Sequence, residues 1–395
     1  MSELISIDEG RRRVLEAVRP LPAEEVRLPD ALGRVLAQEL ESAIDVPPFD
    51  SSALDGFAVI AGPAAELEVV GESRAGHPSA ERLRPGAAIT ISTGAAIPAG
   101  TTAVVPVERS GAGANGRVRV DASREGDNIR RAGEDVPAGQ VVLRKGALLG
   151  PAELGVAASL GRASLRCSHR PRVALLATGD ELTEPGDPLD PGRIYSSNAW
   201  ALAAQVERAG ARVVARETVR DRAEDTRAAL SRALDAADVV IVSGGVSVGP
   251  HDHVRPALAE LGAEERFWGV RLRPGKPTWF GTRGETLAFG LPGNPVSAMV
   301  TFQLFVRPAL AALQGADPSA SRGHATLDVA VPRNPQREEA VRVRLRTAED
   351  GWHATPTGPQ GSHVLTSMLG ADALARIEQG DGTVEAGERV EIELL

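Results

Sequence analysis

Val239-Val-Ile-Val-Ser-Gly-Gly-Val-Ser-Val-Gly249 carries a wholly apolar run straight into a loop of glycines and hydroxyl side chains. A short β-branched run bounded by glycine reads as a strand buried on both faces, the kind that fills a parallel sheet. Glycines at 244, 245 and 249 permit positive φ and close backbone approach, while Ser243 and Ser247 add donors beside the N–H groups of the turn. The loop is therefore a candidate cradle for phosphate or a similar oxyanion. A plain strand-to-helix turn also uses glycine, but five glycine or serine residues in the seven from Ser243 to Gly249 favour the cradle.

Around this loop, from Pro171 to about Gly315, strands alternate with helices. Strands are expected at 173–177, 212–214, 239–243 and 286–289, and helices are expected to begin near Asn198, Asp221, Asp252 and Pro295. Such alternation predicts a doubly wound parallel sheet whose ligands lie at the carboxyl ends of the strands. Thr178-Gly179-Asp180-Glu181-Leu182, the 243–249 loop and Leu291-Pro292-Gly293-Asn294-Pro295-Val296-Ser297 should converge there. Asn294 is placed to cap a helix that begins with Pro295, leaving free N–H groups aimed at an anion.

The flanks read differently. Residues 4–18 have the spacing of an amphipathic helix ended by Pro20, and a second helical patch is expected at about Asp30 to Ala37. Between Phe57 and about Leu143 the chain breaks into short β-like runs split by Gly and Pro, which predicts an inserted β domain. Within it, Gly111-Ala-Gly-Ala-Asn-Gly116 matches a dinucleotide fingerprint letter for letter. It joins two short β runs and opens no helix, so a hairpin loop is expected. After about residue 317 the pattern returns to β runs. The expected division is an N-terminal helical and linker unit (1–42 with 141–170), the inserted β domain (43–140), the doubly wound domain (171–317) and a C-terminal β domain (318–395).

Composition limits the partners. The 395-residue chain suffices for several domains, its 42% hydrophobic content is that of a globular protein, and its net charge of −9 opposes a dedicated nucleic-acid surface. The single cysteine, Cys167, suits a reducing compartment as an inert thiol, and Glu3, Asp8 and Glu9 stand where a signal peptide wants positive charge. No apolar run approaches the roughly 20 residues that span a bilayer. A soluble cytoplasmic protein is expected.

The converging loops carry the chemistry. Thr178-Gly179-Asp180-Glu181 sets adjacent carboxylates beside two oxyanion-binding loops. A phosphate there would be repelled unless a hard cation intervened, which points to Mg²⁺ held by Glu181 and Asp252 together with substrate oxygens. Asp252 could equally be a helix N-cap, and His251 and His253 read as surface histidines. Asp221-Arg-Ala-Glu224 fits a capping box on residue types alone. Arg273-Pro-Gly-Lys276-Pro places two cations around a tight turn, and Lys276 is one of only two lysines among 44 basic residues. In such a chain a retained lysine suggests that a compact ammonium is required. Pro47-Pro-Phe-Asp-Ser-Ser-Ala-Leu-Asp55 is dense in turn formers, which a linker explains better than it explains Asp50 and Asp55.

Taken in order, PPFDSSALDGFAV (47–59), STGAAIPAG (92–100), IRRAGEDV (129–136), ATGDEL (177–182), YSSN (195–198), SGGVSVGPHD (243–252), RPGKP (273–277) and GLPGNPVSA (290–298) resemble the molybdenum-insertion enzymes of molybdenum cofactor synthesis, the bacterial MoeA family and the E domain of gephyrin. The resemblance covers essentially the whole chain. It implies an elongated homodimer of four-domain subunits whose doubly wound domain binds molybdopterin and its adenylylated form. Molybdate is inserted and AMP released, with handover contacts to the enzymes that make and adenylylate molybdopterin.

The resemblance places functional residues at Asp55, Thr93, Asp135, Glu181, Asp221, Asp252, Arg273 and Ser362, with an arginine near position 342. Asp55, Thr93, Asp135, Glu181, Asp221 and Lys276 are the expected catalytic groups, and Glu181 and Asp252 the expected metal ligands. The expected cofactor-binding set is Thr178, Gly179, Ser243, Gly244, Gly245, Ser247, Gly249, Arg273, Pro292, Gly293, Asn294, Ser297 and Ser362. One departure is Gly269, where the family often has a basic residue. Strand alternation would put Arg271 on the same face as a substitute. The rival readings are a molybdopterin adenylyltransferase and a non-catalytic gephyrin-like scaffold.

Overall fold

The apolar run at 239–243 is the third strand of a mixed six-stranded sheet in the computed structural model, which describes residues 4–246, 249 and 252–395. In chain order the unit comprises β1 (Arg172–Thr178), α1 (Ser197–Arg208), β2 (Arg212–Val219), α2 (Ala223–Ala236), β3 (Val239–Ser243), α3 (Val254–Glu260), β4 (Glu264–Trp268), β5 (Trp279–Arg283), β6 (Thr286–Leu291) and the long helix α4 (Pro295–Leu313). The strand order is β2-β1-β3-β6-β5-β4. The first four strands are parallel, and β5 and β4 add an antiparallel edge that the sequence pattern did not reveal. β1 is followed by β2 on one side and β3 on the other, so the topological switch lies between the carboxyl ends of β1 and β3.

Burial on both faces explains why β3 has no polar alternation. Val239 and Ile241 point into the cluster with Phe280, Phe289 and α4, whereas Val240 and Val242 point into the cluster with Leu230, Leu234 and Leu258. α4 is long and apolar enough to cross a membrane, contrary to the reading that no such run exists. It is instead the central core helix, with Val300, Phe302, Leu304, Phe305 and Leu310 each at most 1% exposed.

The N-terminal helix Ile7–Ala17 is capped by Ser6, whose Oγ accepts from the Glu9 N–H at 3.1 Å. Ile7 and Val14 join Phe267 and Phe305 in the core of the doubly wound unit. Gly10 makes this docking possible, because a Cβ there would stand 3.0 Å from Phe305 Cε1. The buried Arg11 then donates to the Leu304 carbonyl at 3.1 Å and to Glu393 at 2.5 Å, tying helix, core and C-terminal domain together. The helix expected at 30–37 is a single 3-10 turn, Leu28–Asp30, followed by isolated bridges at Val35 and Leu36. Gly33, at φ +70°, ends any helical continuation.

The remaining β units bracket this core. Ala23–Arg27 pairs with Ser164–Ser168, and Leu40–Glu41 with Val141–Leu143, so the inserted β domain leaves and re-enters the same small unit. That inserted unit is a six-stranded sheet, and its 111–116 segment is the expected hairpin between Ser110–Ala112 and Arg117–Val120. In the C-terminal unit Glu338–Ala348 pairs with both Gly351–Pro356 and Ala373–Ile377, closing the strands into a ring. Cys167 is fully buried, and burial pushes its thiol pKa up, as an inert thiol requires.

Candidate functional site

The ends of β1, β3 and β6 meet at the switch point. Gly244 and Gly245 take φ +95° and +65°, and the Gly244 N–H donates to the Leu291 carbonyl at 3.1 Å. A Cβ on Gly244 would lie 2.7 Å from the Thr178 carbonyl, and one on Gly245 would lie 2.9 Å from Thr178 Oγ1. Glycine is thus required by contact as well as by φ. Gly293 faces Gly244 from the third loop, and Trp268 Nε1 holds the far side through the Val246 carbonyl at 3.0 Å.

One side chain absent from the expected set organises this junction. Asn198, at the head of α1, donates through Nδ2 to Ser243 Oγ at 2.8 Å and to the Gly293 carbonyl at 2.7 Å. Its signal in the sequence was the YSSN segment, where residue type alone assigned it no role. Beside it a cavity of about 120 Å³ is lined by Thr178, Glu181, Leu182, Tyr195, Asn198 and Ser243.

Asp221 does not cap α2. The N-cap is Arg222 and makes no side-chain cap, so the expected capping box is not formed. Instead Asp221 Oδ2 accepts from the Asp180 N–H at 3.4 Å, and Asp180 Oδ1 accepts from the Asp221 N–H at 3.3 Å. Parallel pairing of β1 with β2 puts their two exit loops side by side, and this contact across the sheet replaces the local one. Asp221 thereby stands next to Gly179 and the exposed Glu181.

Asp252 closes the other end of the glycine loop. Its Oδ2 accepts from the Gly249 N–H at 2.6 Å, and the α3 N-cap is His253. Ser247 and His251 lie outside the described residues. Asn294 occupies the N-cap position of α4 but its side chain does not cap; Nδ2 donates to Ser362 Oγ at 3.0 Å. The Val296 N–H goes to the Ser362 carbonyl at 3.2 Å, so fewer free N–H groups face the site than expected. Ser362 of the C-terminal unit is in this way brought to the Pro292–Ser297 turn, and Ser297 is buried in the first turn of α4.

Arg342 supports Ser362 from behind. It is fully buried and donates to the Gly361 carbonyl at 3.3 Å and to Ser367 Oγ at 3.2 Å. Burial lowers its pKa to about 10. In the RPGKP turn, Arg273 pairs with Glu339 at 2.8 Å, while Lys276 is exposed with no ion pair among the described residues. The expected strand face shared by 269 and 271 is not formed. β4 ends at Trp268, and Gly269 takes φ +89° with its Cβ position 2.6 Å from Leu4 Cδ2, so a larger residue there would meet the N-terminal segment.

In the inserted domain a second cluster forms. Asp55 Oδ1 accepts from the Thr93 N–H at 2.6 Å and from Thr93 Oγ1 at 3.0 Å. Asp50 binds the Ala132 N–H at 2.9 Å and Arg131 at 2.7 Å, and the Asp135 N–H donates to the Val46 carbonyl. Backbone and arginine contacts hold the Asp50 carboxyl below its usual range. The three inserted-domain motifs therefore converge on one exposed rim. No hydrogen bond or bridge among the described residues joins residues 43–140 to residues 171–317.

Three segments match family descriptions. Residues 5–161 match the MoeA N-terminal region (domain I and II), 174–312 a probable molybdopterin binding domain, and 324–395 the MoeA C-terminal region (domain IV). The chain is 37% identical to the molybdopterin molybdenumtransferase of Haemophilus influenzae, covering 99% of this chain and 98% of that one. It is 36% identical to the molybdopterin molybdenumtransferase of Bacillus subtilis over 99% and 94% of the two chains. The crystal structure of the molybdopterin biosynthesis moeA protein of Pyrococcus horikoshii superposes with a TM-score of 0.85 at 29% identity, covering both chains completely.

Proposed function

Because this chain belongs to the MoeA family of molybdopterin molybdenumtransferases, we propose that it takes adenylylated molybdopterin and molybdate as substrates and releases AMP as the metal is inserted. Molybdenum transfer to molybdopterin in cofactor biosynthesis is the activity of the family, and the chain is a transferase of that kind. The observation that carries the finer reading is the junction of three loops at the switch point, where a glycine-lined backbone and Ser243 face a small cavity.

In this reading the Ser243–Gly249 loop and the Pro292–Ser297 turn hold the phosphate region, and Ser362 with Arg273 and Lys276 attracts the anionic molybdate. Glu181 and Asp221 orient the pyrophosphate from the β1 and β2 loops. An oxygen of molybdate, or of a water it activates, bonds to the AMP phosphorus as the pyrophosphate P–O bond breaks, so AMP leaves carrying that oxygen and molybdopterin keeps its own phosphate. Positioning and fixed charge supply most of the acceleration, as in other phosphoryl transfers.

The donor set suits a hard cation. Asp180, Glu181, Asp221 and Asp252 offer only carboxylate oxygens, and no group of three or more ligands stands preassembled among the described residues. Mg²⁺ commonly uses one or two carboxylates plus substrate oxygens and water. Glu181 and Asp252 would hold it, and it would offset charge on the pyrophosphate.

The protein would act as a cytoplasmic homodimer, in the division 1–42 with 141–170, 43–140, 171–317 and 318–395, with the helix Ile7–Ala17 of the first unit docked into the core of the third. Asp55, Thr93 and Asp135 would face the doubly wound domain of the partner subunit. The lack of hydrogen bonds between the two clusters among the described residues of one chain supports that arrangement. The enzymes that make and adenylylate molybdopterin would hand it their product.

The test is to incubate purified protein with adenylylated molybdopterin and molybdate and to follow AMP by chromatography, with and without exhaustive chelation. Release of AMP together with active cofactor, abolished by chelation and restored by Mg²⁺, is expected. Absence of AMP release with Mg²⁺ present would sink the substrate assignment, and full release after chelation would sink the cation.

A further inference from the structure

We infer that Asn198 is a positioning residue for the reaction, the clamp that sets the glycine loop against the Pro292–Gly293 turn. The inference rests on reading that junction as the phosphate site. Its amide nitrogen reaches Ser243 Oγ at 2.8 Å and the Gly293 carbonyl at 2.7 Å, partners 45 and 95 residues away in the chain.

A backbone carbonyl can only accept, so the Gly293 contact decides which end of the amide turns inward. Both Nδ2 hydrogens are then engaged. Ser243 Oγ, already accepting from Asn198, donates its own proton to the Pro292 carbonyl across 3.5 Å. At that length the bond is weak, and an anion oxygen entering the cavity would take the proton in its place. Asn198 thus acts through two neighbours: it orients the Ser243 hydroxyl and it holds Gly293 against Gly244, whose Cα lies 3.8 Å from the Gly293 Cβ position. It also lines the cavity with Thr178 and Ser243, so its placement is part of the site and not of a remote core.

The side-chain requirement is narrow. Aspartate has the same shape but no N–H to offer Gly293, and it adds negative charge beside an anion site. Alanine removes both bonds. Glutamine is one methylene too long to keep both distances.

The test is isothermal titration of the full-length protein with AMP and with molybdopterin, using wild type, N198A, N198D, S243A and N198A/S243A, with thermal unfolding as a check on folding. About tenfold weaker binding is expected for N198A, the loss of one to two net hydrogen bonds, and more for N198D. The double variant should bind within about twofold of N198A, because losing Asn198 already misplaces the hydroxyl that S243A removes. A merely structural asparagine would instead give losses that multiply. If N198A does not fold, the isosteric N198D carries the test. Wild-type affinity in N198D, or multiplying losses in the cycle, overturns the inference while leaving the site reading intact. Failure of the wild type to bind either compound overturns the site reading and the inference with it.

Discussion

Gly244→Ala separates a backbone conformation from a close approach. At φ +95° an alanine costs about 1–2 kcal/mol relative to a relaxed backbone. Its Cβ would also stand 2.7 Å from the Thr178 carbonyl and 2.9 Å from Thr178 Oγ1. Ordinary contact needs roughly 3.5 Å, so the overlap is on the order of 0.5–1 Å. Thr178 cannot yield, because β1 is hydrogen-bonded to β2 on one side and to β3 on the other. The loop must therefore move. A displacement of about 1 Å in a positioned group costs roughly a hundredfold in rate, so a ten- to hundredfold fall in kcat/KM is expected. Global stability should fall by only a few degrees in Tm, since no core side chain is lost. Gly262→Ala is the control: it too has positive φ, +79°, but its Cβ would meet nothing within 4 Å. That variant should lose about 1 kcal/mol of stability and keep its activity. AMP release from adenylylated molybdopterin is the assay. Full activity in Gly244→Ala, or an equal loss in Gly262→Ala, would refute the argument that close approach at Thr178 sets the loop.

Hybrid dimers of Asp55→Ala and Glu181→Ala subunits, refolded together and isolated by two tags, should recover about half of wild-type activity, because one of the two equivalent sites escapes both lesions. Hybrids as inactive as their parents, with dimerisation confirmed by light scattering, would place both residues in one subunit's site. Lys276→Arg should lose most activity with unchanged circular dichroism, since a planar guanidinium cannot replace a compact ammonium; wild-type turnover would make the lysine incidental. His353 sits between Asp350 at 2.8 Å and Asp328 at 3.0 Å, and these bonds raise its pKa despite the nearby Arg346. Its stabilisation is fully present below the unfolded value of about 6.5 and is lost as pH rises through the raised folded value. The Tm gap between wild type and His353→Gln should accordingly be widest near pH 6 and narrow on the alkaline side, and a gap that widens with pH would contradict the assignment.

Local patterns settled much of this chain. Strand 239–243 matches its expected bounds because a run of β-branched apolar residues such as Val239–Val242 has few other stable uses. The hairpin at 111–116 followed from chemistry that acts within a few residues, Asn115 and Gly116 at φ 52° and 77°. Misreadings arose where a local option competed with a distant one. Asp221 has the residue spacing of a capping box, yet pairing of β1 with β2 offers it the Asp180 N–H instead. Asn294 reads as a cap, but Ser362, 68 residues on, takes its amide. The 30–37 segment has helical spacing, and Gly33 with the bridges to Leu148 and Cys167 overrides it.

The sequence by itself determined the family, the doubly wound order of elements and the residue types around an anion site, because each is written in segments of ten residues or so whose chemistry is local. Only the tertiary structure decided which of those side chains meet. Asn198 clamps two loops, Arg342 is buried behind Ser362, and the N-terminal helix joins the core of a domain that begins far along the chain. Such contacts depend on where the sheet places the ends of its strands. Residue type records what a side chain can bond, and the fold alone sets what stands within 3 Å of it.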